Sequence, residues 1–338
     1  MRFGLFLEWP NSGTRPWHLG FEEAVVQAQL AEAVGFDFCL IAEHHFSDYG
    51  IAPSPILEAL AILRATTALR VGAGVAVLPE WQPLRLAEEM AVADQLSGGR
   101  FIAGVGRGFV PFEQERFGLG IGDSRAHFEE CLDILLRAWT ETDFTYNGTY
   151  ASVPVPTTVL PRPIQQPHPP VWLAGNSPDS VELVGQHGFT PIVSGALGPT
   201  RIAALVAEFA QARARHGRAD EPLEIVAQTH CHVASNSDEL RGILPEARWQ
   251  NRAVPALLAN RVDHGQLSPI PLDGELSDED LLRAQLFGTP DAVIERIDAL
   301  RTSGVTHVST LMSFGGLDHA RIMRSIELFG RAVIPAFS

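Results

Sequence analysis

The sequence predicts an α/β protein built as a single (β/α)8 TIM barrel with insertions, over residues 1–338. Short apolar runs alternate with longer helix-like stretches along the chain, which is typical of βαβ units around a parallel sheet. Eight such units in a chain of 338 residues favour a closed barrel. A doubly wound open sheet is the alternative, but it would be expected to have fewer strands and a change in strand order.

The predicted elements follow one another in a regular order. Eight strands are predicted at residues 2–8, 37–42, 70–77, 101–105, 171–174, 190–193, 223–233 and 305–311. Helices are predicted at residues 21–33, 55–67, 84–96, 125–139, 180–187, 200–216, 290–302 and 318–334. Gly35 and Gly304 stand where C-terminal helix caps are expected, and Thr289-Pro290 has the composition of a helix start.

Two stretches interrupt this alternation and are predicted to be insertions in the same domain. Residues 142–170 contain seven prolines and are expected to be extended. Residues 245–280 begin with helical character and end in a long, polar and acidic loop at 264–280. Loops of this length in compact domains are often lids or disordered segments, and we expect this loop to cover the site.

The composition restricts both the partners and the chemistry. The formal net charge is −15, which disfavours nucleic acid or an anionic membrane as a partner. All 25 basic residues are arginine, so a Walker A loop, a Schiff-base lysine and a pyridoxal phosphate site are excluded. Three dispersed cysteines fit a reducing compartment. No signal peptide and no apolar run of about 20 residues is recognised, and a cytoplasmic location is expected.

The motif Glu43-His44-His45-Phe46 is the strongest indication of a functional site. It follows a buried apolar strand, at the end that forms the catalytic face of a barrel. A histidine at this place is suited to act as a general base or as a hydrogen-bond donor; a buried histidine satisfied by its neighbours is the alternative. Adjacent side chains of an extended segment point in opposite directions, so only one of His44 and His45 is expected to face the pocket.

Two further segments at strand ends are suited to bind an anion. Gly104-Val105-Gly106-Arg107-Gly108 ends the fourth strand and combines a permissive backbone with an arginine, which forms paired hydrogen bonds to phosphate. Ala174-Gly175-Asn176-Ser177-Pro178-Asp179-Ser180 leaves the fifth strand and opens a helix, whose N-terminus also suits a phosphate. A tight turn with Arg107 in an ion pair and a simple N-cap at Ser177 are the structural alternatives.

Two motifs are less specific. The glycines of Gly72-Ala73-Gly74-Val75 indicate either small-residue packing or the close approach of a ligand. In His230-Cys231-His232 both histidines share one strand face, as metal ligands would. No carboxylate pattern accompanies them, so we predict that they line the pocket or face the helices, and no metal site is predicted.

Together these segments resemble the bacterial luciferase-like flavin monooxygenases. The matching segments run in order along the chain: Gly35-Phe36-Asp37, Glu43-His44-His45-Phe46, Val77-Leu78-Pro79, Asp94-Gln95-Leu96-Ser97-Gly98-Gly99-Arg100-Phe101, Arg107-Gly108, Ser124-Arg125, Gly288-Thr289-Pro290, Gly304-Val305 and Met312-Ser313-Phe314-Gly315-Gly316.

This resemblance implies a two-component monooxygenase that takes reduced FMN (FMNH2) from a separate flavin reductase and uses O2 as co-substrate. Oxygen transfer to a small organic substrate would proceed through a flavin C4a-(hydro)peroxide. The resemblance identifies His44 as the catalytic histidine, and it implies a homodimer. It also implies a non-proline cis peptide at Gly74-Val75. The cofactor-binding positions that it implies are Glu43, Gly74, Val75, Arg107, Asn176, Ser177 and Ser180.

Several pocket positions depart from the light-emitting catalytic subunit of the family. Gly106 replaces a cysteine, Val110 and Gly195 replace aromatic residues, and Asn176 replaces a glutamate. Bioluminescence is therefore not expected, and the smaller side chains suggest a bulky cyclic or aromatic metabolite as substrate. Two other functions stay open: hydride transfer with the deazaflavin F420, and a non-catalytic flavin-binding role.

Overall fold

A computed structural model describes residues 1–10 and 15–337 of the chain. Its strands, in chain order, are β1 (Arg2–Leu7), β2 (Phe38–Ile41), β3 (Arg70–Ala73), β4 (Ala76–Val77), β5 (Phe101–Gly106), β6 (Phe144–Asn147), β7 (Ser152–Thr157), β8 (Val171–Ala174), β9 (Thr190–Ser194), β10 (Val226–Val233), β11 (Val262–Asp263), β12 (Gln266–Leu267), β13 (Leu286–Gly288) and β14 (His307–Leu311). Its α-helices are α1 (Trp17–Ala33), α2 (Pro55–Ala65), α3 (Pro83–Ser97), α4 (Pro111–Arg116), α5 (Ser124–Thr140), α6 (Pro178–His187), α7 (Gly198–Arg215), α8 (Ser237–Arg241), α9 (Leu244–Leu258), α10 (Asp278–Ala284), α11 (Pro290–Thr302) and α12 (His319–Leu328).

Eight parallel strands close into a barrel. Their order is β1-β2-β3-β5-β8-β9-β10-β14, and β14 pairs with β1 to complete the ring. The prediction of a (β/α)8 barrel is therefore confirmed, with each barrel strand inside or overlapping one predicted run. The predicted third run, 70–77, is divided into β3 and β4 around Gly74 and Val75. The peptide bond between these two residues is cis, as the resemblance implied.

The structure adds elements that the sequence analysis did not predict. Strand β13 pairs with the carboxyl end of β10, but its three residues are too few for a recognisable alternation. The segment 142–170 holds an antiparallel hairpin of β6 and β7 before its proline-rich part. Residues 245–280 hold most of α9, the β11–β12 hairpin and the start of α10, so the expected loop at 264–280 contains regular structure.

Alternate residues of β1 and β2 face the interior of the barrel, from its bottom to the end where the cavity opens. Phe38 packs against Trp172 and His307, with ring centroids 5.0 and 5.9 Å away, and these rings fill the bottom of the barrel. A side chain at Gly4 would overlap the Phe38 ring. Because strand side chains alternate between two faces, Phe38 and Leu40 lie on the same face of β2. His44 follows on this side after the strand ends.

Two glycines let β3 and β5 approach closely beneath the site. A Cβ atom on Gly72 would lie 1.9 Å from the carbonyl oxygen of Ile102, and one on Gly104 would lie 1.9 Å from that of Ala73. These contacts are with backbone, so no side-chain rotation can relieve them. The strand glycines are therefore required by packing, and Gly74, between β3 and β4, is also confined because its Cβ would lie 2.7 Å from Leu40.

Among the described residues, no helix is both long enough and apolar enough to cross a membrane.

Replacing Gly104 with alanine should destabilise the barrel, because the added methyl group forces β3 and β5 apart. We expect the free energy of unfolding to fall by about 3 kcal/mol, at the upper end for overpacked cores, as measured by urea denaturation. Gly122→Ala is the matched control, because no atom lies within 4 Å of the added Cβ. Equal stability of the two variants would contradict this account of the strand glycines.

Candidate functional site

One cavity of about 680 Å³ opens at the carboxyl ends of the barrel strands. Its volume lies within the range of about 300–1,000 Å³ that is usual for small-molecule sites. Most of the residues lining it come from the segments that follow β2, β3, β5 and β8, and others come from β1, α5 and β10. All of the predicted site residues are among them: Glu43, His44, Gly74, Val75, Arg107, Asn176, Ser177 and Ser180.

His44 lines the cavity, whereas His45 does not. Nδ1 of His44 lies 3.0 Å from Oε1 of Glu113, and its Nε2 lies 3.6 Å from Oε1 of Glu8. The ring of Tyr49 packs edge-on against the imidazole with a centroid distance of 4.7 Å. Only 7% of His44 is exposed, so the two carboxylates act on it with little screening by water.

The two carboxylates stabilise the charged form of His44. Burial alone lowers the pKa of the imidazole, but the negative charges of Glu113 and Glu8 and their hydrogen bonds outweigh burial and raise the pKa to about 10. At neutral pH both ring nitrogens therefore carry a proton. The ring is a hydrogen-bond donor and a proton donor, and of the two roles considered from the sequence the structure favours donor over base.

Glu113 and Gln250 complete the hydrogen-bond network around His44, and neither was predicted from the sequence. Glu113 lies on α4, and its Oε1 also accepts the backbone N–H of His45 at 3.0 Å. Gln250 lies on α9 and donates from Nε2 to Oε2 of Glu8 at 2.9 Å. Its Oε1 accepts the backbone N–H of Gly315 at 3.2 Å. The carboxylates beside His44 are thus held by elements that are far apart in the sequence.

Glu43 is engaged by the protein itself. Its carboxylate accepts the backbone N–H of Val77 at 2.8 Å and the indole N–H of Trp81 at 2.9 and 3.0 Å. Its Oε1 also lies 2.9 Å from Nε2 of His45. Glu43 therefore fastens β4, which follows the cis peptide, to the end of β2. Its place in the cavity wall fits the prediction, while its oxygens are already occupied.

Glu80 joins this cluster, and the ligand atoms of Glu43, His45 and Glu80 lie within 4.8 Å of one another. Burial, and then the nearby charge of Glu43, raise the pKa of Glu80 to about 8. A protonated Glu80, 3.4 Å from Nε2 of His45, accounts for the close approach of these groups. Since the oxygens of Glu43 already bind Val77 and Trp81, we assign no metal here.

The opposite end of the cavity is suited to an anion. Arg107 is exposed to the cavity, and its guanidinium has no ion-pair partner among the described residues. Ser177 caps α6 by accepting the backbone N–H of Ser180, and the two hydroxyls lie 3.0 Å apart. A Cβ on Gly175 would lie 2.5 Å from Oγ of Ser180, so glycine leaves this cradle open. A guanidinium, two hydroxyls and a helix N-terminus are together suited to bind a phosphate.

Arg125 belongs to this end of the cavity, although it entered the sequence analysis only as part of the family resemblance. It lies on α5 and lines the cavity. Its Nη1 lies 3.4 Å from Oγ of Ser177 and 2.9 Å from the carboxylate of Asp179. Arg125 thus brings a second guanidinium to the same hydroxyl group, and this guanidinium is paired with Asp179 and, at 2.7 Å, with Glu129.

His230 and His232 do not meet at a common site. His230 lines a chamber beside the cavity, whereas His232 lines a groove next to α12. Burial lowers the pKa of both rings, that of His232 to about 4. Both rings are therefore neutral at pH 7. Their positions agree with the expectation that they line a pocket or face the helices, since His230 lines the chamber and His232 lies next to α12.

The departures from the light-emitting subunit have packing reasons. A Cβ on Gly106 would lie 2.5 Å from Cγ2 of Val75, so a cysteine would require Val75 to move. Val110 is 2% exposed and packs with Tyr49 in a cluster that includes residues of α9. A Cβ on Gly195 would lie 2.8 Å from Cβ of Thr229. Gly106 and Val110 belong to the wall of this cavity, so the departures at these two positions change the wall, whereas Gly195 lies outside its lining.

The residues of this cavity fit FMN. The anion-binding end around Arg107 and Ser177 suits the phosphate, and the apolar wall that includes Phe6, Val75 and Leu173 suits a flat ring system. The imidazolium of His44 stands at the other end.

The titration of His44 tests the electrostatic account of this end. We expect the ¹³C- and ¹⁵N-labelled imidazole of His44 to titrate near pH 10 in NMR spectra, and at a clearly lower pH in Glu113→Gln, which keeps a hydrogen-bond acceptor without the charge. Because the pKa is raised on folding, the stabilisation by this pair is complete below about pH 6.5 and declines as the pH rises towards 10. Glu113→Gln should therefore be more destabilising at pH 6 than at pH 10. A wild-type titration near pH 6.5 would contradict the account.

Comparison with known proteins assigns the chain to a family. The luciferase-like monooxygenase family matches residues 1–307. The oxygenase component of the flavin-dependent trigonelline monooxygenase of Acinetobacter baylyi is 30% identical, and the alignment covers 100% of this chain and 96% of that protein.

Two further proteins agree with this assignment. The FMNH2-dependent dimethylsulfone monooxygenase of Pseudomonas putida is 26% identical over 94% of this chain and 88% of its own. The crystal structure of monooxygenase RslO1 from Streptomyces bottropensis superimposes with a TM-score of 0.89 and 27% identity, over 100% of both chains. The chain therefore belongs to the luciferase-like monooxygenase family and is a flavin-dependent monooxygenase.

Proposed function

We propose that this chain is the oxygenase component of a two-component system, in which the cavity holds reduced FMN supplied by a separate flavin reductase. The observation that carries the proposal is the arrangement of one cavity with a phosphate-binding end and a proton-donating end. The similarity to a relative named as an oxygenase component supports the need for a reductase.

In this proposal Arg107, Ser177 and Ser180 bind the flavin phosphate, with Arg125 behind them. Asn176, which is exposed at the cavity wall, adds an amide at the same end. Gly74 and Val75 form the surface on which the ring rests, and Glu43 holds that surface in place through Val77. Bound reduced FMN supplies the electrons that activate O2.

His44 is the proposed proton donor of the reaction. The imidazolium can donate a proton or a hydrogen bond to an oxygen atom that becomes negatively charged. Glu113 orients the ring through Nδ1, which leaves Nε2 as the atom that delivers the proton. Glu8, 3.6 Å from Nε2, can accept the hydrogen bond while no substrate is bound.

The segment 264–280 and α9 are proposed to exclude water from this end. Asp48 joins the hairpin to the loop after β2, since its N–H donates to Gly265 and its carboxylate accepts the N–H of Leu267 at 2.7 Å. Arg248 and Arg252 of α9 form ion pairs with Glu275, which keep the rest of the segment against α9. Excluding water strengthens the electrostatic effect of His44 on the reacting groups.

We further propose that the substrate is a bulky cyclic or aromatic metabolite, that the chain forms a homodimer and that it works in the cytoplasm. The cavity volume of about 680 Å³ supports the first point. The exposed apolar side chains of Val26, Leu57 and Leu96 on α1, α2 and α3 support the second, because large exposed apolar groups often mark interfaces. Three free, buried cysteines support the third.

Replacing Arg107 with alanine should weaken FMN binding by about tenfold to a hundredfold, because a charge-assisted contact with the phosphate is lost. The measurement is the quenching of FMN fluorescence on titration with protein, with oxidised FMN as the probe. Arg201→Ala is the control, because Arg201 pairs with Glu208 on the surface. Equal affinity of Arg107→Ala and wild type would contradict the phosphate assignment.

Replacing His44 with alanine should lower the rate of product formation by about a hundredfold or more while FMN still binds, because the proton donor is removed. The substrate is first identified by a mass-spectrometric screen for compounds that gain one oxygen atom with reduced FMN and O2. His216→Ala, on the surface beside Glu182, is the control.

The outcomes of this experiment separate the proposed function from its alternatives. Unchanged product formation by His44→Ala would contradict the role of His44. Turnover with F420 in the absence of O2 would indicate hydride transfer instead. Oxidation of reduced FMN that yields only hydrogen peroxide with every compound would favour a non-catalytic flavin-binding role.

A further inference from the structure

A second chamber of about 290 Å³ adjoins the flavin cavity. The two share Ala174 and Gln228 in their walls. The chamber lies over the ends of β9, β10 and β14, whereas the predicted phosphate site lies at the end of β8. A molecule in this chamber would therefore lie beside a bound flavin without occupying the place of its phosphate.

The chamber contains no charged side chain among its described lining residues. Its apolar walls include Ile192, Val193 and Leu311. His230 contributes a ring that is neutral at pH 7, because burial lowers its pKa. An ionic group placed here would lose its hydration without gaining a counter-ion in the wall, which is strongly unfavourable.

Gln228 is a polar group of the chamber that is free to bind a ligand. Its amide has no hydrogen-bond partner among the described residues, and its side chain is half-buried at the boundary between the two cavities. Gln285 differs, because its Oε1 already accepts the Thr229 hydroxyl at 3.1 Å and the backbone N–H of His230 at 3.3 Å. An amide presents one acceptor and two donor hydrogens, so Gln228 can bind a ligand that carries both an acceptor and a donor.

A second unsatisfied polar atom lies at the same chamber. Nε2 of His230 is buried and has no hydrogen-bond partner among the described residues. A buried polar atom without a partner is unfavourable. Because this nitrogen has almost no accessible surface, it does not contact a ligand in the chamber. The half-buried amide of Gln228 is therefore the group that favours a polar but uncharged ligand.

We propose that this chamber binds the organic substrate, and that the substrate part held there is an uncharged ring that carries a carbonyl next to an N–H or O–H group, paired with the amide of Gln228. Amides, lactams and hydroxylated aromatic ketones have this chemistry. The inference rests on the proposed function, because it places the substrate beside the flavin. Gln228 acts as a specificity residue, and the charge-free wall rejects carboxylates and ammonium ions.

The test uses the FMN-loaded protein and two probes of equal size, 2-naphthamide and 2-naphthoate. Calorimetric titration should give at least tenfold tighter binding of the amide, because the carboxylate enters without a counter-ion. Gln228→Leu, which keeps the bulk and removes the hydrogen bonds, should weaken naphthamide binding by about tenfold. Gln211→Leu, an exposed glutamine on α7, is the control and should bind naphthamide as wild type does.

Equal or tighter binding of naphthoate, or naphthamide affinity unchanged in Gln228→Leu, would overturn the inference. Binding of FMN by each variant is measured first, by fluorescence quenching. If wild type binds FMN and prefers naphthoate, the substrate inference fails while the proposed function stands. If wild type does not bind FMN at all, the proposed function fails, and the inference fails with it.

Discussion

The carboxylate of Glu113 joins the parts of the site on which the chemistry depends. One of its oxygens accepts two hydrogen bonds, from Nδ1 of the His44 imidazole and from the backbone N–H of His45, each at 3.0 Å. This bond ties α4 to the segment after β2 and sets the orientation of the ring. Together with Glu8 on the other side, it also keeps the ring charged, since two buried carboxylates outweigh the cost of burying an imidazolium. Without Glu113, neither the position nor the charge of His44 would be defined by the fold.

The remaining electrostatics of the cavity follow from this arrangement. Carboxylates and one imidazolium gather near β1 and β2, while guanidinium groups and hydroxyls gather near β5 and β8. In the proposed function, the end near β5 and β8 is the more favourable one for the flavin phosphate, although Asp179 offsets part of its positive charge. The adjoining chamber has neither set of charges among its described lining residues, so the two proposed sites, for the flavin and for the substrate, offer different physical interactions.

The sequence predicted the barrel and the cavity because both depend on local patterns. Alternating side-chain directions indicated that only one of His44 and His45 faces the pocket, and motifs at strand ends were expected to meet, since parallel strands end on the same face of a barrel. Glu113 and Gln250 escaped prediction because their roles arise from contacts between distant segments. Glu113 lies on a helix of six residues, which is too short to show a helical period, and Gln250 is one polar residue among several on α9. The pKa of His44 could not be predicted either, because it depends on the distances to Glu8 and Glu113 rather than on the motif itself.

The most direct test of the central claim is a crystal structure of the protein with bound FMN. The account predicts that the phosphate contacts Arg107, Ser177 and Ser180, that the ring rests on Gly74 and Val75, and that His44 faces it with Nδ1 still bound to Glu113. A phosphate bound elsewhere, or a ring that leaves His44 out of contact, would contradict the claim that one cavity combines a phosphate-binding end with a proton-donating end.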